Sequence, residues 1–203
     1  MTDRTVTTEA TGRRTETPDL ATVEARAIAG ADTASAARKS AQDLAATIRS
    51  AQTTVDPDRV QTTEIRVKES TELFEPETDK RFQGIERLRI DCVPETAEAV
   101  VVDTLEAGGT VQSVEFGFHK DVRERLQDEA LNAAVARARE KAERLARAEE
   151  STVGRVREMM MTDKRSGMDG LVEDALCDHD GPDLQPTPIT ISQSVEVVYE
   201  LEE

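Results

Sequence analysis

Aromatic side chains are nearly missing from this sequence, which has no tryptophan, one tyrosine and four phenylalanines in 203 residues. A chain of this length typically buries roughly 70% of the surface its unfolded form exposes, so a core is required, and Ala, Val, Leu and Ile must fill it. Side chains this small favour a close approach of helix to sheet. Cysteine is almost as scarce. Cys92 lies in an apolar stretch and Cys177 in a polar one, which leaves a single bridge open but supports no disulfide framework. Apolar runs are missing from the start, MTDRTVTTEATG, so neither a signal peptide nor a transmembrane helix is expected there. The expectation is a cytoplasmic protein. A phosphate-cradling glycine loop, a nucleophile elbow and a basic–aromatic patch are also missing.

What the sequence does have is acid. The formal net charge is -16, a third of the residues are charged, and lysine occurs only at 39, 68, 80, 120, 141 and 164. This balance resembles that of proteins from a salt-loving cytoplasm. At ~1 M salt the Debye length is about 3 Å, so crowded carboxylates hardly repel one another. At low salt the same surface works against the compact state. The charge argues against a nucleic-acid backbone or an anionic membrane as partner.

Periodicity supplies the elements. The first eleven residues alternate loosely and end at Gly12, which suggests an edge strand, and 13–18 reads as a turn. From Leu20 to Ala29 small apolar residues take every second place, the mark of a strand with one buried face. Asp32 is placed to cap a helix over 33–52, which Asp56-Pro57-Asp58 ends. The phrase VQTTEIRV at 60–67 returns as VQSVEFGF at 111–118. In the first, Thr63, Ile65 and Val67 are expected on one face; Val114, Phe116 and Phe118 take the equivalent places in the second. The flanks recur too: strand 20–29, helix 33–52 and strand 59–68 are followed by strand 82–92, helix 94–107 and strand 110–118. Leu88, Ile90 and Cys92 share a face, and Gly108-Gly109 stops the second helix.

The expected fold class is therefore α+β and two-layered, with a strand–helix–strand module (20–68 and 82–118) duplicated side by side into one sheet under its helices. Residues 69–80 connect the copies. Asp121 and Glu124 suggest a capping box opening a helix over about 121–150, which at 1.5 Å per residue would be about 45 Å long. Set beside a radius of gyration near ~17 Å for a globule of this size, such a helix must cross the molecule or project from it. Its narrow apolar line (Val122, Leu126, Ala130, Ala133, Ala134, Ala138, Leu145, Ala148) suits a sheet or a second copy of the chain. A strand at 152–160 runs into Met159-Met160-Met161. A Gly-, Asp- and Pro-rich loop at 162–188 precedes the clearest strand, 189–201. All of this reads as one domain over 1–203.

Several of these pieces resemble the SIMPL-domain family: TGRRTETPDLATV at 11–23, VQSVEFGF at 111–118, DEALNAAVARAREKAERLA at 128–146 with VGRV at 153–156, and the closing SQSVEVVYEL at 192–201. The resemblance implies an α+β domain covering nearly the whole chain. Several bacterial relatives are exported, linked to oxidative stress and assemble into rings, and the founding animal relative is a kinase-binding adaptor. The family supplies no catalytic residue to carry over. This chain departs from it in lacking an export signal and in a more charged 82–92 strand.

Candidate chemistry is sparse. Cys177, Asp178, His179 and Asp180, with Asp183 nearby, offer metal-type ligands in one cluster without a second Cys/His pair. The calcium-loop register is missing there as well, so a solvated acidic loop is expected. His119 reads as a turn histidine, and the triple methionine as strand-end packing, with an adaptable contact surface or a soft copper site as the alternatives. Accordingly no catalytic, cofactor-binding or metal residue is assigned and no cofactor is expected. The chain is read as a non-enzymatic protein that assembles with itself or with a protein partner through its long helix or its sheet edges. The alternative is a small-ligand or metal-binding stress protein with its site in the cleft between the copies.

Overall fold

A computed structural model describes residues 4–70, 79–162 and 186–202. They form two compact units, one drawn from both ends of the sequence and one from the stretch between. Among the described residues seven strands and three α-helices place the protein in the α+β class.

The unit spanning Pro18–Phe118 contains a four-stranded antiparallel sheet. Its elements are β2 (Leu20–Ala31), α1 (Ala34–Ala51), β3 (Val60–Glu69), β4 (Phe82–Cys92), α2 (Ala97–Glu106) and β5 (Thr110–Gly117). The strand order is β3-β4-β2-β5. The two strand–helix–strand modules share one sheet, as expected, but they interleave instead of lying side by side. Each crossover helix carries the chain past a strand of the other module, because a module's own strands run parallel and the gap between them admits one antiparallel strand. This is the split β-α-β, ferredoxin-like arrangement.

The core of this unit lies between sheet and helices. Ala25, Ala27 and Leu88 pack on Ala45 and Ile48 of α1, while Val23, Ile90 and Cys92 pack on Ala97 and Val100 of α2. Small residues set the spacing. A Cβ on Gly84 would stand 2.3 Å from the Ala37 carbonyl oxygen, so α1 and β4 touch backbone to backbone there. The α1 cap is Thr33, whose side chain accepts from the Ala36 N–H, and not Asp32: the helix starts one residue later than the acid suggested. Gly108, with φ of 87°, stops the chain after α2, and the Gly109 N–H donates to the Thr104 carbonyl at 2.9 Å.

The twin phrases become the outer strands β3 and β5, and each carries an irregularity. Thr62 faces Leu88 and Glu64 faces Arg87, so the ladder skips Thr63. Val111 faces Ala25 and Ser113 faces Glu24, so it skips Gln112. Thr63 therefore does not share a regular face with Ile65 and Val67, which lie opposite Glu86 and Gly84. An extra residue resets the alternation that period two assumes. Ala25 and Leu88 also face each other, which gives the ladder an approximate two-fold about that pair. Under it Thr62 corresponds to Val111, whereas the phrases align Val60 with Val111.

The other unit has the strand order β1-β7-β6, with β1 at Thr5–Glu16, β7 at Ile189–Glu202 and β6 at Thr152–Met161, and includes α3 at Lys120–Ala148. β1 runs straight through Gly12 to Glu16, where a turn was expected from Arg13, because every residue to Glu16 finds a partner on β7 down to Ile189. α3 lies on this sheet. Its buried line is Leu126, Ala130, Ala134, Ala138, Ala142 and Ala146, a strict fourth-residue repeat. Leu145, placed on that line from the sequence, is instead 52% exposed. Asp121 does not cap α3. His119 holds the cap position and its side chain makes no capping bond.

Helix and strand meet most closely at Gly12, where an added Cβ would lie 1.9 Å from the Ala130 carbonyl oxygen. Farther along, the buried Thr8 hydroxyl donates to the Ala138 carbonyl at 3.0 Å. The alanine seam, open on sequence grounds to a sheet or a second copy, is thus used within the unit against Ala10, Val195, Val197 and Tyr199.

Candidate functional site

The three-stranded sheet treats its two borders differently. A border strand presents backbone N–H and C=O groups that invite another strand. On β1, side chains of α3 reach over that border: Arg137 donates to the Thr11 carbonyl and Lys141 to the Glu9 carbonyl, both at 2.8 Å. Arg125 and Arg14 add ion pairs to Glu16 and Glu129. Among the described residues β6 forms the opposite border. Its exposed apolar residues are Val156, Met159, Met160 and Met161, between 43% and 62% accessible. Met159 and Met161 lie opposite the buried Val197 and Val195. They extend the apolar helix-side face beyond the strip that α3 covers. The triple methionine is accordingly exposed and not packed away at the strand end. Methionine is unbranched, polarizable and adaptable.

A second place lies in the central unit. Cys92 ends β4, is buried and carries a free thiol. It borders a cavity of about 530 Å³ whose wall includes Thr53, Asp56, Arg59 and Thr96. Burial pushes the Cys92 thiol up from its ordinary value, against the opposing influence of the Thr96 hydrogen bond and the Arg59 charge. The thiol is therefore held protonated at neutral pH, a weak donor and poor nucleophile. Gln52, which closes α1, also borders the cavity. Its amide nitrogen donates to Thr104 at 3.1 Å, and Thr104 donates to the Val100 carbonyl at 2.7 Å. That chain of bonds ties the end of α1 to α2. Thr96 follows Cys92 by one turn of chain, but Arg59 had no sequence signal as its neighbour; only the return of β4 beside the turn after α1 brings those two together.

His119 sits half-buried at the start of α3. Cys177, His179 and their acidic neighbours lie outside the described residues. Among the described residues no group of three His, Cys, Asp or Glu side chains is placed to hold a metal ion, and no helix is long and apolar enough to cross a membrane.

The interleaved four-stranded sheet, the long alanine-lined helix on a second sheet and the open methionine border together define a two-unit α+β protein. The family model that matches it, SIMPL, Protein of unknown function (DUF541), spans residues 6–199, and the chain belongs to that family. A search of curated proteins gave no match.

Proposed function

We propose that this SIMPL protein is a non-enzymatic docking body that associates with a second copy of itself, or with a protein partner, by adding a strand at β6. The observation that carries this reading is the asymmetry of the three-stranded sheet. One border is tied down by Arg137 and Lys141, while the other ends in exposed Val156, Met159, Met160 and Met161. Strand addition supplies affinity through main-chain hydrogen bonds and specificity through alternate side chains. The long helix, the other route open on sequence grounds, spends its small-residue face on its own sheet. The negative charge keeps nucleic acid and anionic lipid off the surface.

Size-exclusion chromatography with light scattering, in high salt, tests the reading. The expected result is a mass above that of one chain that falls to the monomer in the Met159→Glu/Met161→Glu variant. Both positions are exposed, so the fold survives the change. A purely monomeric mass at micromolar concentration, together with failure to capture any partner, overturns the proposal.

A further inference from the structure

Three consecutive methionines end β6, and the ladder sorts their thioethers onto two faces. Met159 and Met161 share the face of the buried Val197 and Val195, whereas Met160 lies opposite Glu196 on the other face. The ladder also skips Arg157: Val156 faces the buried Tyr199, and Glu158 faces Val198. That extra residue brings Val156 onto the face of the methionine pair, where regular alternation would have parted them. The result is a short exposed row of Val156, Met159 and Met161. Two sulfur-bearing side chains close it, with an apolar one beside them.

Alternate residues of a strand stand about 7 Å apart at Cα. Methionine has three rotatable bonds, so both sulfurs can turn onto one ion. A thioether is a soft, uncharged ligand that suits Cu(I), while oxygen ligands suit magnesium and calcium. It has no proton to lose, so its affinity for a metal does not follow pH as that of a thiol or imidazole does. Val156 gives the pair an apolar flank, which favours an ion that sheds its water over magnesium, which keeps it. Among the described residues no group of three His, Cys, Asp or Glu side chains competes for a metal.

We propose that Met159 and Met161 form a two-thioether site for a soft monovalent cation, Cu(I), at the end of β6. The site uses the side chains of one chain, so it stands whether or not β6 takes up another strand.

The test is a titration of the full chain, labelled with ¹³C in its methionine methyl groups, with silver nitrate in chloride-free buffer. Silver(I) stands in for Cu(I), with the same charge and softness and no change of oxidation state. Single Met→Leu variants assign the signals. The expected result is that the Met159 and Met161 signals move together and saturate, with one midpoint at mildly acid and at neutral pH, and that magnesium nitrate moves neither. Met161→Leu should weaken uptake at Met159 by about a hundredfold, the low end of what linking two contacts adds. Met160→Leu should leave it unchanged. Met160 and Met161 are exposed and leucine is close to methionine in size, so both variants keep the fold, which an unchanged amide spectrum verifies. Cu(I), held reduced by ascorbate, should reproduce the pattern. Unlinked movement of the two signals, full affinity in Met161→Leu, or equal movement with magnesium each overturn the proposal. A light-scattering mass taken alongside reads strand addition separately: a monomer that takes up silver(I) in this way upholds the site.

Discussion

Glycine 12 is where one methyl group decides whether β1 can lie on α3. The Ala130 carbonyl and the Ala134 amide occupy the space a Cβ would need, at 1.9 and 2.5 Å. Both are helix backbone, which cannot swing aside as a side chain would. Gly12→Ala is therefore expected to cost about 3 kcal/mol, the upper range for overpacking, read as a lowered denaturant midpoint. Tyr199 gives a second test at this scale. It is 1% exposed, and burial pushes its phenol up from the ordinary value. The unfolded side chain ionises near about 10. Its burial thus contributes stability that is whole below that pH and is lost as pH rises through the folded value. Since the sequence has one tyrosine and no tryptophan, ultraviolet absorbance reports this group alone. It should titrate later in the native chain than in denaturant.

Among the elements, α1 rests on β4 through a buried charge. Glu86, 4% exposed at its side chain, accepts from Arg49 at 2.8 Å and from the Thr62 hydroxyl at 2.7 Å. Removing the arginine strands the carboxylate. Arg49→Met is expected to destabilise by about 3 kcal/mol, the low end for an orphaned buried charge because Arg49 is itself a third exposed. Adding Glu86→Leu should recover much of that loss in thermal melts. The helices and the strands β2, β4 and β7 were legible in the sequence because each keeps one period over most of its length. Ala21, Val23, Ala25 and Ala27 of β2 and the Leu88, Ile90, Cys92 face of β4 are buried as read, while Ala29, at the end of the β2 alternation, is only half-buried. The bulges at Thr63 and Gln112 were not legible, since both fall inside phrases that look regular and only the pairing partner shows a residue skipped. Interleaving escaped for a related reason: periodicity says which face is buried but not which strand is next door. The methionines at the end of β6 were visible as a run, yet their exposure depends on how far α3 extends over the sheet.

At the scale of the whole molecule, charge is the dominant fact. Acidic residues outnumber basic ones by 42 to 26, and the described ion pairs are mostly exposed, where each is worth little. Self-repulsion should thus outweigh pairing in dilute buffer. The thermal midpoint is expected to climb as sodium chloride rises toward ~1 M, where screening acts over about 3 Å. A midpoint flat or falling over that range would show that repulsion is not what limits stability.

The pairing of β1 with β7 joins residues near opposite ends of the sequence, Thr5 with Glu200 and Glu16 with Ile189. On a ribosome, which makes the amino end first, β1 must wait for nearly all of the remaining chain before its neighbour exists. The central unit needs nothing from that late segment for its own sheet, so it can settle while β1 is still bare. Halting translation shortly before Ile189 should therefore release a chain with a protease-resistant middle and two digestible flanks.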